Sequence, residues 1–98
     1  MSEIAYVNGK FMPIEEAVVS IDDRGYQFAD GVYEVIGTYG GRPYAMEEHL
    51  QRLERSLREL YIDVDIRENG LDLERLVTEG MERSGFGETF IYIQITRG

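Results

Sequence analysis

At 98 residues the chain is long enough for one domain, in which folding hides roughly two-thirds of the extended chain's surface, and its 43% hydrophobic content fits a globular protein. A net charge of −9, from 19 acidic and 10 basic residues, argues against a nucleic-acid partner or an anionic membrane surface, because phosphate neutralisation needs clustered Lys and Arg. Cysteine is absent, which removes disulfides and thiolate chemistry and points to a cytoplasmic setting, and no apolar run nears the ~20 residues of a membrane span.

Met1-Ser2-Glu3 has no basic region and no apolar run after it, so no signal peptide is expected. Nine of the ten basic residues are Arg. Chemistry that needs a lysine must therefore use Lys10 or a residue outside this chain. His49 is the only histidine, so a two-histidine metal site is impossible and no metal site is expected.

Ile4 to Val7 reads as a short strand, Asn8-Gly9 as a two-residue hairpin turn, and Lys10 to Pro13 as the return strand. Pro13 places that return at a sheet edge or at its end. Lys10 reads as a solvent-facing turn residue. Glu15 to Val19 then leads into Asp22–Val35, a stretch dense in charge, glycine and aromatics. Gly25 and Gly31 there permit backbone angles that other residues resist. Phe28, Val32, Tyr33 and Val35 are candidates for burial. Composition leaves this stretch balanced between a structural turn and a site.

Val32 to Tyr39 reads as a strand, with Tyr33, Val35, Gly37 and Tyr39 on one face and Val32, Glu34, Ile36 and Thr38 on the other. Gly40-Gly41 marks a second hairpin, returning over Arg42 to Met46. Met46, Leu50, Leu53, Leu57, Leu60 and Tyr61 then recur at spacings of three and four, which predicts an amphipathic helix from about Glu47 to Tyr61. Glu47 and Glu48 suit its positive end, and Glu48–Arg52 and Glu54–Arg58 are spaced as ion pairs. Asp63 to Asn69 is a polar connection with Val64 and Ile66 tucked in, ended by Gly70. A second helix is predicted over Leu71 to Ser84, with Leu73, Leu76, Val77 and Met81 as its stripe and Gly80 marking close approach to a neighbour. Gly85 and Gly87 stop it. Thr89 to Thr96 is the strongest strand, and its two apolar faces predict a central position. The fold class is α+β: an antiparallel sheet from hairpins with two helices packed on one face.

Arg97 continues the Ile91, Ile93, Ile95 row, where a guanidinium either reaches the rim or faces an anion. Arg52 lies about 130° around its helix from the leucine stripe, at ~100° per residue, which suits a surface charge paired with Glu48. Tyr33 reads as a core aromatic or a hydroxyl at a pocket edge, and His49 as a partly exposed packing residue. Asp22-Asp23 and Glu15-Glu16 diverge in direction and make no acid–base couple. No phosphate-binding glycine loop is present.

Four stretches carry a resemblance. Tyr6-Val7-Asn8-Gly9, Asp23 through Val35, Glu48-His49-Leu50-Gln51-Arg52-Leu53 and Ile91 through Gly98 resemble, in order and spacing, the N-terminal small domain of the fold-type IV (class IV) pyridoxal-phosphate aminotransferases, most of all those acting on D-amino acids. The resemblance covers nearly all of residues 1–98 and implies a single domain. It implies that Arg52 binds the phosphate of pyridoxal phosphate, that Tyr33 lines the substrate pocket, and that Arg97 helps hold the substrate carboxylate from the partner subunit of a homodimer. The family's cofactor-attaching lysine lies downstream in a second domain, and no residue here matches it. The resemblance thus implies no catalytic residue in this chain, no stable covalent cofactor binding by it, and a missing C-terminal domain. The complete enzyme would move amino groups between D-amino acids and 2-oxo acids. Two other readings stand beside this one: a free-standing folding or dimerisation module, and the same domain of a branched-chain aminotransferase or aminodeoxychorismate lyase.

Overall fold

A computed structural model describes residues 2–67 and 71–98. Gly70 and the end of the polar connection before it lie outside the described residues. Strands β1 (Ile4–Val7) and β2 (Lys10–Pro13) form a hairpin. A short helix α1 (Arg24–Phe28) precedes β3 (Gly31–Tyr39) and β4 (Arg42–Pro43). Helices α2 (Met46–Glu59) and α3 (Leu73–Ser84) follow, and β5 (Phe90–Thr96) comes last. The class is α+β, as the sequence predicts, but the strands divide into two antiparallel sheets: β1–β2 alone, and β4–β3–β5.

In the first hairpin Val7 pairs with Lys10 across Asn8 and Gly9, both at positive φ. This matches the two-residue turn whose backbone sense follows strand twist. Lys10 is exposed at the hairpin tip. The second return strand is shorter than predicted. Only Thr38↔Pro43 and Tyr39↔Arg42 pair before the chain turns through Ala45, at φ 57°, into α2.

Asp22–Val35 contains a helix turn that composition did not predict. Asp23 caps α1, its Oδ1 accepting from the Gly25 N–H at 2.8 Å, and its Oδ2 accepts from the Thr96 hydroxyl at 3.0 Å. Neither Gly25 nor Gly31 has positive φ; the left-handed residue is Ala29, at 55°. These glycines are required by proximity instead. A Cβ on Gly25 would lie 2.1 Å from Thr96 Cγ2, and one on Gly31 would lie 2.8 Å from the Ile95 carbonyl oxygen. The turn is pressed against the end of β5.

β3 pairs with β5 from Gly31↔Thr96 to Gly37↔Phe90. Val32, Ile36 and Ile93 turn toward the helices and join Leu50, Leu53 and Leu57 of α2, Leu73 and Val77 of α3, and Ile66 in one buried cluster. Burying such side chains contributes about 1.5–3 kcal/mol each, so this cluster is what holds the helices to the sheet. Gly80 of α3 passes over the Phe11 ring, as the stripe predicts. The other sheet face is open. Phe90 is 81% exposed, Tyr92 59% and Tyr33 63%, so the burial expected of Tyr33, Val35 and Phe28 is not found in this chain. Nor is β5 central; β3 is, with β5 outermost. The outer faces of β3 and β5 are rich in aromatics without being covered here, so apolar character does not mark a central strand.

Candidate functional site

An acidic residue on a buried strand face organises the site. Glu34 shares the helix-facing row of β3 with Val32 and Ile36 and is only 5% exposed. A carboxylate there needs partners, since burial without them disfavours its charge. α2 supplies two from one turn. Arg52 donates from Nε to Glu34 Oε2 at 2.8 Å and from Nη2 to Oε1 at 2.7 Å. His49 Nδ1 lies 2.7 Å from the same Oε1. An ionised carboxylate only accepts, so the Nδ1–H tautomer of His49 fits this contact. His49 and Arg52 are three residues apart and flank Leu50 and Leu53, whose burial fixes which side of α2 faces the sheet.

Electrostatics follow from these contacts. The Arg52 guanidinium holds the Glu34 carboxyl below the usual carboxylate range, burial opposes it, and His49 adds to the lowering. Glu34 in turn raises the Arg52 pKa. The pair is therefore a fixed carboxylate–guanidinium unit. Arg52 does not pair with Glu48 as its spacing suggests, and Glu54 pairs with Arg67 rather than Arg58. Arg67 bridges Glu47 and Glu54, tying the connection after α2 back onto that helix.

Tyr33, Glu34, Val35 and Arg52 line a cleft of about 380 Å³. Two of the three sequence-predicted residues, Tyr33 and Arg52, thus line one cleft, Tyr33 from the open sheet face and Arg52 through its bond to Glu34 in the helix-facing row. Tyr33 is held by stacking on Tyr92, with ring centroids 5.8 Å apart, and Arg52 is 58% exposed. Arg97 is not among the lining residues. It continues β5 beyond Thr96, opposite Asp30, and its Nε donates to Asp30 Oδ2 at 2.7 Å. Its two terminal nitrogens donate to the Leu60 and Tyr61 carbonyls. Those carbonyls lie where α2 ends, so Arg97 sits at the negative end of the helix.

Sequence reasoning missed Glu34 as a site residue. The available signal was a lone acid in the Val32–Ile36 row, opposite two basic residues three apart on the next helix. Lys10 lies elsewhere, in a second cleft with Tyr6, Phe11, Arg75 and Arg83. Among the described residues no cluster of His, Asp and Glu could hold a metal ion, and no helix is long and apolar enough to cross a membrane.

Arg52 is also the group best suited to an anion. Of five guanidinium N–H bonds, Glu34 takes two, leaving three for a ligand in the cleft. Such a donor set fits a phosphate or a carboxylate.

Comparison with known proteins gives a consistent picture. A family model described as amino-transferase class IV matches residues 31–98. The D-alanine aminotransferase of Bacillus licheniformis is 44% identical over 93 residues, covering 93% of this chain and 31% of that protein. That of Staphylococcus haemolyticus is 40% identical over 96 residues, covering 95% and 32%. Among solved structures, a branched-chain aminotransferase from Thermoproteus uzoniensis superposes with a TM-score of 0.74 at 26% identity, over 96% of this chain and 32% of that one. The 4-amino-4-deoxychorismate lyase of Pseudomonas aeruginosa gives 0.63 at 31% identity, over 84% and 28%. The chain spans about a third of the length of the curated relatives it matches.

Proposed function

The chain belongs to the class IV aminotransferase family, and from that premise we propose that it is the N-terminal small domain of a pyridoxal-phosphate enzyme moving amino groups between D-amino acids and 2-oxo acids. The observation that carries the reading is the cleft lined by Tyr33, Glu34, Val35 and Arg52, where Arg52 keeps three N–H bonds that Glu34 does not use. The residues fit one end of the cofactor, its phosphate. Bound pyridoxal phosphate supplies an electron sink for the carbon that exchanges its amino group.

In this reading Arg52 grips the phosphate, and Glu34 offsets part of its charge. Tyr33 forms a pocket wall with its hydroxyl toward the substrate carboxylate. Arg97 serves as the carboxylate's cation across a homodimer. Three of its five N–H bonds are used by Asp30, Leu60 and Tyr61, which leaves two. A planar fork beside a phenol hydroxyl is a suitable carboxylate clamp. The attaching lysine and the remaining cofactor contacts come from a C-terminal domain, and the setting is cytoplasmic. The D-amino-acid preference is favoured over the branched-chain and lyase alternatives by sequence identity, which is 44% to the Bacillus D-alanine enzyme against 26% and 31% to the two solved structures.

The test is complementation. The chain is co-expressed with the C-terminal two-thirds of the Bacillus licheniformis D-alanine aminotransferase, and amino transfer from D-alanine and from branched-chain L-amino acids to a 2-oxo acid is measured. Turnover with D-alanine is expected, lost on Arg52→Ala. Turnover confined to the L-amino acids would overturn the assignment.

A further inference from the structure

We infer that Glu34 is a positioning residue that restricts Arg52 to end-on recognition of its anion, and that His49 braces it. The inference rests on the reading of Arg52 as a phosphate-binding residue and specifies how it binds.

A guanidinium can meet an anion along two edges. The side edge presents Nε–H with one Nη2–H; the end edge presents one N–H from each of Nη1 and Nη2. Glu34 occupies the side edge completely, through Nε–Oε2 at 2.8 Å and Nη2–Oε1 at 2.7 Å. What remains toward the cleft is the end edge and the outer Nη1–H. An anion in the cleft is therefore met in one orientation.

Glu34 cannot readily give way. It is 5% exposed within the Val32–Ile36 row. Its Oε1 is shared with His49 Nδ1 at 2.7 Å, so swinging out would break contacts on both sides. A side chain on an exposed helix surface retains its rotamers, whereas Arg52, clamped on two atoms, has lost most of that freedom before a ligand arrives. Less ordering remains to be done on binding. The consequence for charge is opposite: a buried carboxylate beside the guanidinium lowers its net attraction for an anion. Glu34 thus gives up some affinity and gains a fixed geometry. This distinguishes positioning from simple attraction, because the two predict different outcomes when the carboxylate is removed.

The experiment follows the Arg52 side chain by guanidinium ¹⁵N NMR in the 98-residue chain, with inorganic phosphate as the probe and Arg52→Lys to assign the signals. In the wild type, phosphate is expected to shift the Nη resonances of Arg52 and leave Nε–H in place. In Glu34→Gln, Nε–H is expected to move with phosphate as well, and the apparent affinity to stay equal or rise. In Glu34→Asp, which keeps the charge but withdraws it by one carbon, Nε–H should regain part of its protection. Phosphate shifting Nε–H and Nη alike in the wild type overturns the positioning role while leaving Arg52 a phosphate ligand. Phosphate shifting neither overturns the phosphate reading and this inference with it. The wild-type measurement decides both even if the variants do not fold.

Discussion

A carboxylate buried in an apolar row is tolerated only because its charge is answered, and Glu34 is answered twice, by Arg52 and by His49. Its pKa is lowered in the folded chain, chiefly by Arg52, from an ordinary value of 4.5. A lowered folded pKa means that the stabilisation is complete above the unfolded value and is lost as pH falls through the folded one. Urea unfolding of the wild type and Glu34→Gln should therefore differ by about 1 kcal/mol at pH 7, a figure kept low because Arg52 is largely hydrated. The gap should narrow as pH falls below 4.5 toward the lowered folded value. A gap that does not change with pH would assign the loss to packing and not to charge. Only the resemblance singled out Arg52, Tyr33 and Arg97; residue types and spacing left all three open. They could not reveal which charges pair. Arg52 stands four residues from Glu48 yet bonds Glu34, 18 positions away, because the buried leucine stripe turns that side of α2 onto the sheet. Local spacing describes an isolated helix; packing selects the partner.

Periodicity located every long element to within two residues, because the 3.6 and 2 repeats of apolar side chains are set by the covalent chain itself. Turns were harder. The segment read as a glycine-permissive loop is a capped helix turn, and its glycines answer to Thr96 and Ile95, more than sixty positions away. Substituting Gly25→Ala should cost about 1–3 kcal/mol by overpacking. Thr96→Ser, which removes the methyl that lies 2.1 Å from the added Cβ while retaining the hydroxyl bonded to Asp23, should recover part of it. Gly87→Ala, with nothing within 4 Å of the added carbon, is the control. Denaturant midpoints for the four chains check this, and equal losses at Gly25 and Gly87 would contradict it. Arg97 makes the same point about chain ends. Read as the last residue of an isoleucine row, it is instead the link between β5, Asp30 and the carbonyls that end α2.

The whole molecule has one covered sheet face and one open one. The helices cover Val32, Ile36 and Ile93, while Phe90, Tyr92 and Tyr33 stand exposed on the far side. Lys10, the only lysine, is at a hairpin tip whose cleft is formed with α3 and shares no residue with the Arg52 cleft. The isolated chain is therefore expected to show no transaminase turnover. Treatment with pyridoxal phosphate and borohydride should leave it without stoichiometric lysine labelling by mass spectrometry; a single fully labelled lysine together with turnover would refute this. The sequence by itself determined the order of the long elements, the α+β class and the family resemblance, because these depend on side-chain periodicity and ordered motifs along one chain. Only the tertiary structure decided that Glu34 holds Arg52, that the Gly25 and Gly31 positions admit no side chain, and that the aromatic face of β3 and β5 is open. Each of those depends on which distant surfaces meet, and an apolar residue carries no mark of whether anything covers it.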